Sequence, residues 1–99
     1  MNAKFQGMLG LAMRAGKLAV GEGKAEDTIR SGNALLVVLS TDASDNTEKK
    51  FLNMADSHDV NVIRPCGRDT LGQILGREFA VVIAVTDSGF ARQLELLSL

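Results

Sequence analysis

The sequence predicts an α/β domain, a three-layer α-β-α sandwich, and three observations lead there. Residues 34–40 and 79–86 are continuous apolar runs rather than alternating ones, the pattern of strands covered on both faces. The segments between such runs place apolar residues at helical spacing. Strand-like and helix-like stretches alternate along the whole chain, which calls for a sheet between helix layers. Ninety-nine residues close one core, so 1–99 is expected to be a single domain.

The first helix is predicted in "AKFQGMLGLAMRAG", where Phe5, Met8, Leu9 and Ala12 recur at helical spacing and Gly16 is a C-terminal stop. "KLAV" reads as a short strand ending at Gly21. Residues 22–31 give a modest helical face through Ala25, Thr28 and Ile29, closed by Gly32. The apolar run 34–40 is the second strand. Ser44 then suits an N-cap, with Glu48 nearby and Phe51, Met54 and Ala55 as the buried stripe. "VNVI" is a short strand, "RPCGRD" a loop, and "TLGQILG" a short helix. The run 79–86 is the last strand, and Asp87 or Ser88 caps a final helix whose Phe90, Leu94 and Leu97 face inward. About four strands are expected, with parallel and antiparallel pairings both open.

Composition narrows the function classes. Hydrophobic residues make up 45% of the chain, which suits a folded domain and argues against disorder. The only aromatics are four Phe, which argues against a platform for stacking bases. Net charge is −1, so no global basic field is present. Its distribution is uneven: residues 1–24 carry Lys4, Arg14, Lys17 and Lys24 against Glu22 alone, whereas residues 25–66 come to −3. That bias permits a basic patch around the first glycine-rich turn. Cys66 is the single cysteine and His58 the single histidine, which leaves no disulfide framework and no Cys/His metal site. No charged-then-apolar leader and no membrane-length apolar run is visible, so a cytoplasmic setting without a membrane partner is expected.

The motif most suggestive of chemistry is "AVGEGKAEDTIRSG", residues 19–32, a glycine-rich turn between strand and helix. Glycines allow close backbone approach, and the free amides of a helix start attract anions. A Walker-type loop is excluded: Gly23-Lys24 is followed by Ala25, and Leu18 stands where the first glycine belongs. The dinucleotide signature fails as well, with Glu26 at the place of its last glycine. Catalytic constellations are thin. His58 falls in a polar bend, Cys66 has no histidine partner nearby, and "TDASDNTE" lacks the central glycine of a calcium loop. No enzyme, no cofactor and no small-molecule substrate is expected.

Four phrases taken together carry a resemblance that covers nearly the full length: "LGLAMRAGKLAVGE", "LLVVLSTDASDNTEKK", "DTLGQILGRE" and "IAVTDSGFARQL". The chain resembles the kink-turn-binding ribosomal proteins of the L-seven-Ae family, in particular its small bacterial members. The resemblance implies an α-β-α sandwich with a mixed four-stranded sheet and a non-catalytic role in binding structured RNA, such as a kink-turn or ribosomal RNA, in association with the ribosome. It places the RNA contacts on the turn before the second helix, Gly21, Glu22, Gly23, Lys24 and Asp27, and on the loop Pro65, Cys66, Gly67 and Arg68. Lys17 and Lys24 would add attraction for phosphates. The family's Gly-x-Asn-Glu-x-x-Lys pattern is altered, because Gly23, Lys24 and Asp27 stand at its Asn, Glu and Lys positions. A protein-interaction module on the same scaffold is therefore the alternative.

Overall fold

The computed structural model describes residues 2–99. Asn2 opens the first helix, α1 (Ala3–Arg14), by accepting from the amides of Lys4 and Phe5, two donors that no earlier turn can satisfy. The chain continues through β1 (Leu18–Val20), α2 (Glu22–Arg30), β2 (Leu36–Leu39) and α3 (Asp45–Ser57). It ends with β3 (Val62–Ile63), α4 (Arg68–Leu75), β4 (Val82–Val85) and α5 (Ser88–Leu97). All the elements stand in the predicted order. Ser44 caps α3 through the Thr47 amide, and Asp87, not Ser88, caps α5 through the Phe90 amide.

The strand order is β1-β4-β2-β3. β4 is antiparallel to both neighbours while β2 and β3 are parallel, so the sheet is mixed. In the central pair Leu36 stands opposite Val85 and Leu39 opposite Val82. Both central strands are buried at every residue, which is what their unbroken apolar runs require. Alternation sorts their side chains between two cores. Leu36, Val38, Ile83 and Val85 pack with Phe5 and Leu9 of α1, Leu71 of α4 and Leu94 of α5. Val37, Leu39, Val82 and Ala84 pack with Ala25 and Ile29 of α2 and with Phe51 and Met54 of α3. Each large side chain so buried contributes about 1.5–3 kcal/mol.

Several boundaries differ from the sequence reading. Residues 34 and 35 precede β2: Ala34 is buried, but Leu35 is exposed. β4 begins at Val82, and Phe79 lies outside the strand with 56% of its surface exposed. α4 starts at Arg68 rather than Thr70. The reason for the last two lies in tertiary contacts. After α4 the chain turns at Gly76 and runs back along the helix, with the amides of Arg77 and Ala80 donating to the carbonyls of Gly72 and Arg68. Gly72 makes that return possible, because a Cβ there would sit 2.5 Å from the Phe79 Cα.

Candidate nucleic-acid interface

β1, β2 and β3 point the same way, so their C-terminal ends meet the beginning of β4 at one end of the sheet. Backbone bonds fix that end: Gly21 N–H to the Val82 carbonyl at 2.9 Å, Ser40 N–H to that of Val81 at 2.8 Å, and Thr41 N–H to that of Cys66 at 2.9 Å. Each of the three strands leads into a helix. The N-termini of α2, α3 and α4 therefore gather there, with unpaired amides and positive dipole ends that favour anions.

Two of these three starts are occupied by the protein's own groups. At α4 the capping residue is Gly67, which has no side chain to offer, and Asp42 reaches across to accept from the Arg68 amide at 3.0 Å. That amide bond, helped by the charge of Arg68, holds the Asp42 carboxyl below the usual carboxylate range. At α3 the Ser44 hydroxyl accepts from the Thr47 amide at 3.3 Å, and the Thr47 hydroxyl in turn donates to Glu22 at 3.3 Å.

The start of α2 is left open. Gly21 caps it without a side chain, at φ 105° and ψ 158°, a conformation that L side chains rarely adopt. The first helical bond runs from Ala25 N–H to the Gly21 carbonyl at 2.9 Å, so the amides of Glu22, Gly23 and Lys24 precede the helical ladder. The Cβ positions of Gly21 and Gly23 look into open space. A groove of about 480 Å³ lies alongside, lined by Val20–Glu22 and by the returning segment Arg77–Val82.

Most of the residues singled out from the sequence come together here. Gly21, Glu22, Gly23 and Lys24 form the open start, and at the same end Pro65, Cys66 and Gly67 lie in the connection after β3 while Arg68 opens α4. Asp27 is exposed one turn further along α2. Lys17 does not join them. Its carbonyl accepts from the amide and hydroxyl of Thr86 at the opposite end of β1, 2.9 and 3.1 Å away. The basic bias of the first 24 residues therefore does not collect around the turn, because Lys4 and Arg14 lie on α1 and only Lys24 stands at the open start.

The neighbouring cations are largely committed. Arg64 bonds the Ser40 carbonyl and Glu48, both at 2.9 Å. Lys50 and Arg30 hold Glu26 at 2.7 and 2.8 Å, and their hydrogen bonds, Lys50's first, lower its pKa. Cys66 is half-buried and burial pushes its thiol up, the reverse of what an activated nucleophile needs. Among the described residues no group of three or more His, Cys, Asp or Glu is placed to hold a metal.

Sequence reasoning missed Arg77 and Phe79. Phe79 reads as the first residue of an apolar strand, and the composition argues against an aromatic platform. In the structure it is an exposed ring lining the groove beside the open helix start. The signal that points to it is Gly72, and only the fold shows what that glycine admits.

Residues 3–95 match the model of the Ribosomal protein L7Ae/L30e/S12e/Gadd45 family. The chain belongs to that family. Its relatives include the RNA-binding protein YlxQ of Bacillus subtilis (strain 168), 44% identical over 87 residues that cover 88% of this chain and 87% of that protein. The RNA-binding protein YlxQ of Enterococcus faecium is 34% identical over 90 residues, 91% of this chain and 86% of that one. A solved structure of a Bacillus halodurans C protein, described as being of unknown function, superposes with a TM-score of 0.93 at 40% identity and covers 97% of both chains. The expected family and its mixed α-β-α sandwich are thus borne out. No helix of the described residues is long and apolar enough to cross a membrane.

Proposed function

We propose that the protein is a non-catalytic, cytoplasmic RNA-binding protein, a single domain that grips a bent, structured RNA at the open start of α2. The observation that carries this reading is the asymmetry among the three gathered helix starts. Two are filled by Asp42 and by Ser44 with its neighbours, and the third is left without a side-chain cap beside a groove. The amides of Glu22, Gly23 and Lys24 would hold a phosphate, and the Lys24 ammonium would add attraction. Phe79, exposed beside the groove, would stack against a base unstacked at the bend, with Arg77 on the same segment. Pro65–Arg68 flank the RNA on the far side.

Recognition of this kind reads shape first. Gly23 contributes no hydrogen-bonding side chain, and Asp27 turns a negative charge toward solvent where the kink-turn pattern has a lysine. The target therefore differs in detail from the kink-turn that the family pattern reads. Ribosomal RNA, free or in the ribosome, is the first candidate. The two relatives named as RNA-binding proteins support the class of partner.

The test is a binding titration over a range of salt, using a bulged stem with sheared G·A pairs, a straight duplex of the same length and ribosomal RNA fragments. Bent or ribosomal RNA is expected to bind best, with log K falling by about 0.7–0.9 per phosphate contact for each decade of salt. Lys24→Glu is expected to weaken binding about tenfold at low salt without moving the melting temperature. Absence of binding to every RNA at low salt, together with RNase-resistant recovery of one protein partner from the native cell, would favour the protein-interaction alternative.

A further inference from the structure

We infer that the outer face of α1 is a second contact for RNA backbone, holding the stem that flanks the segment gripped at α2. The identity of the polyanion rests on the function proposed above, and the surface itself stands on its own charge and geometry. α1 contains no acidic residue. At 100° per residue, Lys4, Gly7, Leu11 and Arg14 fall within an arc of about 80° on the side away from the buried Phe5 and Leu9, and all four are exposed. Lys17 is exposed just beyond the helix end.

These three cations are uncommitted. Among the described residues the four ion pairs engage Arg30, Lys50, Arg64 and Arg68, and none engages Lys4, Arg14 or Lys17. The acids of the adjacent α5 are occupied elsewhere: Asp87 accepts from the Phe90 amide at 2.9 Å, and Glu95 accepts from the Asn61 side chain at 2.6 Å. The sheet also separates charge. With Arg64 counted beside its partner Glu48 of α3 and Asp42 beside its partner Arg68 of α4, the α2–α3 side carries seven acids and five bases and the α1 side five acids and six bases. A polyanion is thus drawn to the α1 side and repelled from the outer faces of α2 and α3.

The surface fits a phosphate backbone better than a protein. Protein interfaces centre on aromatic or aliphatic anchors seated in pockets, and this face offers only Leu11 among small and charged residues. The Gly7 Cβ position is open, and the Arg14 guanidinium lies over Gly10, 3.6 Å from where its Cβ would be. The face is also continuous with the proposed site. The Asn2 side chain bonds the Leu97 carbonyl, and Asn2, Phe5 and Pro65 line one shallow pocket, which puts the N-terminal end of α1 beside the Pro65–Arg68 connection. A stem leaving the crevice past Pro65 meets Lys4 first and Arg14 about 15 Å further along the helix.

The test compares a short bent RNA with the same RNA whose flanking stem is lengthened by about one helical turn. Wild type is expected to bind the longer RNA about tenfold more tightly, with a salt slope steeper by about two units. The triple variant Lys4→Gln/Arg14→Gln/Lys17→Gln is expected to lose that gain while binding the short RNA as wild type does. Because Arg14 also complements the C-terminal dipole of α1, Lys4→Gln/Lys17→Gln is measured beside it and is expected to lose part of the gain. Equal affinity of wild type for both RNAs, or a gain kept by the triple variant, overturns the α1 contact and leaves the α2 site standing. Failure of wild type to bind either RNA overturns the proposed function, and the α1 contact falls with it.

Discussion

The starts of α2 and α4 follow the two edge strands at the same end of the sheet, both are opened by a glycine, and they treat their free amides in opposite ways. At α4 Gly67 supplies no cap, and Asp42, distant in sequence, supplies it. A Cβ on Gly67 would press against that carboxylate at 3.2 Å, so the start is full. At α2 none of the described side chains caps the start, Gly21 sits in a conformation that other residues rarely adopt, and open space lies before Gly21 and Gly23. The lesson is that a helix dipole alone marks no binding site. What distinguishes α2 is that the protein leaves its amides unused while capping the neighbouring starts.

The variant expected to break this contrast most strongly is Gly21→Ala. A Cβ at φ 105° strains the backbone by about 1–3 kcal/mol and displaces the amides beyond it. Chemical denaturation should show that loss, and RNA affinity should fall with it. Gly23→Ala separates the two effects. Its Cβ meets open space in the first turn of a helix, so stability should stay level or rise by up to about 0.5 kcal/mol. RNA affinity should nevertheless drop, because the methyl group covers the amides. Unchanged RNA affinity would place the RNA elsewhere.

Asp42→Ala sharpens the comparison from the other side. It removes the cap of α4, so the melting temperature should fall by a few degrees, as for other lost N-caps. RNA affinity should hold or rise slightly, since a negative charge leaves that end of the molecule. The smallest effect is on pH dependence. The folded-state pKa of Asp42 lies below its unfolded value, so its contribution to stability is full above about pH 4 and disappears as pH falls through the lowered value. The melting-temperature gap between wild type and Asp42→Asn should therefore narrow as pH drops below about 4.

These features were unequally legible in the amino-acid order. The alternating elements and the two buried strands could be read, because periodicity and burial are local signals. The caps Ser44 and Asp87 could be read too, because an N-cap acts on residues two or three positions on. The α4 boundary could not, since its capping group belongs to the loop after β2. Lys17 is near Gly21 in sequence yet lies at the other end of β1, where a strand of only three residues is enough to part them. Phe79 was hidden within an apolar run. Its exposure follows from the close packing of its backbone on Gly72, a contact that hydropathy does not record.

The bond between the Gly21 amide and the Val82 carbonyl has a consequence for how the molecule comes into being. The open helix start belongs to the first third of the chain, and the wall of its groove belongs to the last third. A ribosome still making the protein has synthesised the glycine-rich turn before it delivers the strand that anchors it. The nascent chain therefore carries the turn without its crevice, and the grip on RNA proposed above would require β4 to have emerged and inserted between β1 and β2.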